Sequence, residues 1–179
     1  KFNGGWDTYT PPTPNQPGIT VFDDYPLAEL VEIMDWTPFF QAWELAGKYP
    51  AILSDVVVGT QATELFADAQ AMLKKIVDEK WLTAKAVFGL WPANSIGDDV
   101  VLNVGATTRT LHFLRQQVDK PVERPDFCLA DFIAPKDSGK QDWIGAFAVT
   151  AGIGIDEHIA RFEADHDDYN AIMVKALAD

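Results

Sequence analysis

Asp35 stands directly before a run rich in large aromatic side chains, Trp36-Thr-Pro-Phe-Phe-Gln-Ala-Trp43, and the stretch closes with Leu45-Ala-Gly-Lys-Tyr-Pro50. Proline is favoured at the first helical position and pushes the residue before it out of the α region, so Thr37-Pro38 predicts a helix start. Gly47, with Pro50 soon after, predicts the stop. That gives a short helix over 38–46 with Phe39, Trp43 and Ala46 along one stripe. Asp35 then lies just outside its positive end. A carboxylate at the mouth of a short aromatic helix suits a small cation. The same residues have a plainer use: aromatics at helical spacing usually build core, and an aspartate here caps a helix or closes a turn. The residues alone leave both uses open.

Other chemistry-bearing fragments are incomplete. Gly152-Ile-Gly154 sits between a strand pattern and a helix pattern, where a dinucleotide fingerprint would lie, but Asp156 and Glu157 would face the pyrophosphate. Glu163-x-x-His166 has half the spacing of a carboxylate-bridged di-iron site, with no second copy. Three scattered histidines and one cysteine do not make a zinc shell. Ser54, Ser95 and Ser138 lack an elbow context for nucleophilic attack. No catalytic residue and no metal site is expected.

The elements that must position Asp35 follow from pattern. At 179 residues and 47% hydrophobic, the chain can bury a real core. Its formal charge of −13, without a basic stripe, excludes a nucleic-acid binder. It lacks the roughly 18-residue apolar run that a membrane span needs. It opens on Lys1 without a secretory signal, which reads as a piece of a longer protein. The lone Cys128 excludes a disulfide scaffold and fits a reducing, cytoplasmic setting. Residues 1–18, rich in proline and glycine, read as an extended linker. Pro26 opens a short helix, and 60–79 form a long amphipathic one. Strands are expected at 85–91, 100–104, 107–113, 127–133 and 142–150, with turns at Asp98-Asp99 and Gly105-Ala106. A single helix is expected from Ile155 to the last residue. Helices, then strands, then a helix argue an α+β fold.

Further blocks, in order along the chain, give this pattern a family. Asp35-Trp-Thr-Pro-Phe-Phe40 and Leu45-Ala-Gly-Lys-Tyr-Pro50 are followed by Gly89-Leu-Trp-Pro-Ala-Asn94, Leu114-Arg-Gln-Gln117 and Cys128-Leu-Ala-Asp-Phe-Ile-Ala-Pro-Lys136. Ile144-Gly-Ala-Phe-Ala-Val-Thr150 and His166-Asp-Asp-Tyr-Asn170 complete the set. Together they resemble the activation domain of cobalamin-dependent methionine synthase over nearly all of 19–179.

The resemblance implies a twisted antiparallel sheet flanked by helices. It also implies a domain that binds S-adenosylmethionine while a flavodoxin-type reductase supplies an electron to reactivate cob(II)alamin. Cobalamin would be bound by another domain of the same polypeptide, tied on through residues 1–18. Asp35 matches the aspartate that contacts the ammonium of S-adenosylmethionine, and Trp36, Phe39, Phe40 or Trp43 would be near the sulfonium. Lys48 is the candidate contact for an acidic flavodoxin-type partner. The family's Arg-Pro-x-x-Gly-Tyr-Pro segment finds no match in 1–179. The expectation is therefore the N-terminal part of the domain, with an incomplete ligand site, weak or no binding alone, and no catalysis by itself. The alternative is an interaction domain that keeps the fold without the ligand.

Overall fold

In the computed structural model, which describes residues 4–121 and 123–179, the first regular element is strand β1, Gly18–Tyr25. Helices α1 (Leu27–Val31), α2 (Trp36–Ala42) and α3 (Gly59–Asp78) follow. Strands β2 (Thr83–Ile96), β3 (Asp99–Val104) and β4 (Thr107–His112) form the middle. After two short 3-10 turns, β5 (Asp142–Ile153) leads into helices α4 (Ile155–Ala164) and α5 (Asp168–Ala178). The sheet has the order β1-β2-β3-β4, with β5 also paired to β2. The pairings of β3 with β2 and with β4 are antiparallel. Both joints are two-residue turns that place glycine first, Gly97 at φ 66° and Gly105 at φ 59°. Positive φ at that position is what a tight hairpin turn needs and what only glycine adopts freely. The fold class is α+β.

Two compact units divide the chain. The first comprises the residues up to Val21 together with Val87–Ala148. Its core gathers Ala93, Val100, Leu102, Cys128 and Ala130. Arg115 secures the long segment after β4. Its fork donates to both oxygens of buried Asp131, at 2.7 and 2.8 Å, and to Asp98 Oδ1 at 2.6 Å. The carbonyl of Asp126 takes a further bond. The two flanking carboxylates raise the pKa of the guanidinium above its ordinary value, Asp131 more than Asp98. In the same unit, the Lys140 ammonium donates to the carbonyls of Trp6 and Tyr9, which ties down part of the stretch expected to be a linker.

The second unit comprises Phe22–Ala86 and Val149–Asp179 and contains every α-helix of the described residues. The buried stripe of α3, Ala62, Leu65, Ala69, Met72, Leu73 and Ile76, recurs at three- and four-residue steps, as an amphipathic helix requires. Trp36, Phe39 and Phe40 from α2 and Met173, Val174 and Leu177 from α5 complete the core. No helix among the described residues is long and apolar enough to cross a membrane.

Four expectations need correction. The apolar run 127–133 is a 3-10 turn at Leu129–Phe132, because Asp131 is buried and its carboxylate accepts the Cys128 N–H at 3.0 Å, curling the chain. The strand that takes its place in the sheet is β1, whose largely exposed residues carry no strand pattern. The helix expected from Ile155 onward breaks into α4 and α5 at His166, φ 57°. Helix α2 ends at Ala42 rather than near Gly47, with Glu44 at φ 58°. Gly47 serves another need, since a Cβ there would lie 2.9 Å from the Ile52 side chain.

Three helices end in the same way. The N–H of Leu45 reaches Phe40 O, that of Trp81 reaches Ile76 O, and that of Asp167 reaches Phe162 O. The residue before each donor, Glu44, Lys80 or His166, adopts positive φ and bonds back to Gln41, Val77 or Glu163. These paired bonds are Schellman motifs, which most often use glycine at the left-handed position.

Candidate functional site

Asp35 is the N-cap of α2. Its extended backbone (φ −83°, ψ 108°) lets Oδ1 accept the Thr37 N–H at 3.0 Å, satisfying one of the amides left unpaired at a helix start. Among the described residues, Oδ2 takes no hydrogen bond. The side chain is exposed and lines a groove of about 650 Å³ within the helical unit. The groove walls are apolar, with Leu30 and Met34 after β1, Phe39 from α2, Leu73 and Ile76 from α3, and Leu82. An apolar cleft of this size with a few placed polar groups is the usual form of a small-molecule site. Two carboxylate side chains, Asp35 and Asp179, line it, so its polar character favours a cationic group.

The aromatic residues of the Asp35 stretch separate into two roles. Trp36 and Phe40 are buried and pack edge-to-face or tilted on Phe66, at ring separations of 4.7 and 6.2 Å. They are core. Phe39 is the one that also lines the groove, edge-to-face with Trp36 at 5.4 Å. Trp43 leans instead on Tyr169, at 5.1 Å. The Tyr169 hydroxyl donates to Asp68 at 2.8 Å, and burial, with that carboxylate, pushes its pKa up to about 12.

Lys48 lies in the exposed loop between α2 and the 3-10 turn Ala51–Ser54, where its carbonyl accepts the Ile52 N–H at 2.9 Å. The loop is stitched to α2 by Thr37, whose hydroxyl oxygen accepts the Tyr49 N–H at 3.3 Å. Nothing in the residue pattern pointed to Thr37 beyond its place before a proline. Glu163 pairs with Lys175, while His166 occupies the break between α4 and α5. Gly154 caps α4 with φ 102°, and a Cβ there would stand 2.8 Å from the Trp81 carbonyl oxygen. No group of three or more His, Cys, Asp or Glu residues among those described is placed to hold a metal ion.

The family model for the vitamin B12 dependent methionine synthase activation domain matches residues 26–179. The chain belongs to this family. A crystal structure of the MetH reactivation domain bound to AdoHcy shares 50% identity with it at a TM-score of 0.90. That match covers 99% of this chain and 55% of the other, so this activation-domain chain spans little more than half of that relative's length. At that similarity the fold is shared over the matched residues, and the α+β reading holds.

Proposed function

We propose that this chain serves as the S-adenosylmethionine-binding reactivation domain of a cobalamin-dependent methionine synthase. The observation that carries the reading is Asp35 on the apolar groove, one oxygen committed to the helix and the other open to a ligand. S-adenosylmethionine carries an ammonium and a sulfonium beside a flat, largely apolar adenosine. The open oxygen of Asp35 would form a charge-assisted bond to the ammonium, and the Leu30, Met34 and Phe39 walls would cover apolar parts of the ligand. The relative bound to AdoHcy supports the same ligand class.

In the parent enzyme, which would make methionine from homocysteine and 5-methyltetrahydrofolate, this domain supports reductive remethylation of the cobalamin. The cobalamin itself belongs to another domain of the polypeptide, and this domain needs no catalytic residue of its own. A flavodoxin-type donor would dock with help from the exposed Lys48. The buried Cys128, free of any disulfide, agrees with a cytoplasmic setting.

Calorimetric titration of S-adenosylmethionine into the full-length protein, beside Asp35→Asn, tests the reading. Asparagine keeps the cap acceptor and removes only the charge, so folding is preserved. A hydrogen bond to a charged group contributes about 1.5–3 kcal/mol, which predicts binding at least about tenfold weaker. Equal affinity in the two proteins would remove Asp35 from the site. No binding by either would favour an interaction domain that has lost its ligand.

A further inference from the structure

We infer that Thr37 is a positioning residue that ties the groove carboxylate to the Lys48 loop, so that occupancy of the groove alters the loop. The inference rests on the reading of Asp35 and Lys48 given above. Thr37 is held from both sides. Its backbone N–H donates to Asp35 Oδ1 at 3.0 Å, and its hydroxyl oxygen accepts the Tyr49 N–H at 3.3 Å. The second bond reaches twelve residues along the chain, unlike the local bonds that threonine hydroxyls usually make at helix starts.

The N–H of Tyr49 and the C=O of Lys48 belong to one peptide plane. Thr37 holds the first and the Ile52 N–H holds the second, at 2.9 Å. A planar peptide fixed at both edges has little freedom, and it sets the direction in which the chain leaves Lys48. Beyond it the Tyr49 ring is stacked on Phe40 at 6.5 Å and tilted against Phe66 at 5.4 Å, which links the loop to the core of the same unit. Lys48 takes part in no ion pair among the described residues, and these two bonds hold its backbone.

A cation on Asp35 Oδ2 holds the carboxylate from a second direction and reduces the swing of Oδ1 away from Thr37. The Tyr49 N–H bond then opens less often. By linkage, a partner that grips the Lys48 loop strengthens ligand binding by the same factor.

Hydrogen exchange resolved to the Tyr49 amide tests this on the full-length protein, with S-adenosylhomocysteine as the probe. In the wild type the amide is protected, and saturating ligand slows its exchange further, by about fivefold. In Thr37→Val, which preserves shape but cannot accept a bond, the amide exchanges about tenfold faster and ligand leaves it unchanged. Thr37→Ser restores both behaviours. A Tyr49 amide that ligand slows equally in Thr37→Val and wild type overturns the inference, as does one that ligand leaves unmoved in the wild type. Affinity that survives Asp35→Asn would instead remove the groove reading itself, so the two failures are separable.

Discussion

Replacing Lys80 with glycine is expected to stabilise the helical unit, although it removes a charged side chain. Lys80 sits at φ 52°, the left-handed position of the Schellman motif that ends α3. The motif cannot relax, because the next residue, Trp81, is buried and stacked on His158 at 4.1 Å. An L-residue with a Cβ in that region costs about 1–2 kcal/mol. Glycine removes the cost but gives the unfolded chain back about 0.4–1 kcal/mol of entropy. The balance is a gain of about 0.5–1 kcal/mol, or a rise of about 1–4 °C in Tm for a chain of this size. Lys80→Ala is the control, since alanine loses the charge and keeps the Cβ. Far-UV circular dichroism is the assay, because all the described α-helices lie in the one unit. Equal Tm values for the glycine and alanine variants would refute the strain argument. Glu44→Gly and His166→Gly repeat the test at the other two helix ends.

Arg115→Met should lower the urea midpoint, because the buried Asp131 loses its cation. An unchanged midpoint would show that the cluster is dispensable. Gly154→Ala should cost about 1–3 kcal/mol, since it combines a φ of 102° with a Cβ 2.8 Å from the Trp81 carbonyl; thermal unfolding measures it. Asp55 and Asp167 have carboxyls held below the ordinary 3.8, Asp55 by the Val58 and Val57 amides and Asp167 by the Asn170 side chain and amide. Depressed carboxyls stabilise above their unfolded pKa, so the contribution is present above about pH 3.8 and is lost as pH falls through the lower folded values. Exchange of the Val57 and Val58 amides just before α3, and of the Asn170 amide in α5, should therefore quicken in acid before the rest of the helical unit opens.

Local rules were legible in the residues wherever local physics decides the structure. The Gly105-Ala106 hairpin and the apolar period of α3 were legible, while the first hairpin, expected to turn at Asp98-Asp99, turns one residue earlier at Gly97-Asp98. Helix ends were harder to read, because Glu44 and His166 do the work usually given to glycine and carry no compositional mark. Gly47 misled for the converse reason: it is required by the packing of Ile52, not by a helix stop. The run Phe127–Ile133 has strand composition, yet Asp131 in its middle is drawn inward by Arg115, sixteen residues away. A charge partner that distant leaves no periodic trace. Strand β1 is largely exposed, so no buried alternation announced it. Asp35 was visible as a residue able to cap or to bind; the structure shows the cap, through Oδ1, and places the residue on the lining of a groove.

The order of the chain in the two units bears on how the protein is made. Helix α3 leaves the ribosome with its apolar stripe bare, and the side chains that complete that core, Met173, Val174 and Leu177, are not yet translated. At usual synthesis speeds, the roughly ninety intervening residues take about 5–20 s. All residues of the first unit exist once Ala148 is translated, so it can close while the second still waits for α5. The nascent helical unit is therefore the natural client for a chaperone, and the period before α5 emerges is when aggregation of this chain should be decided.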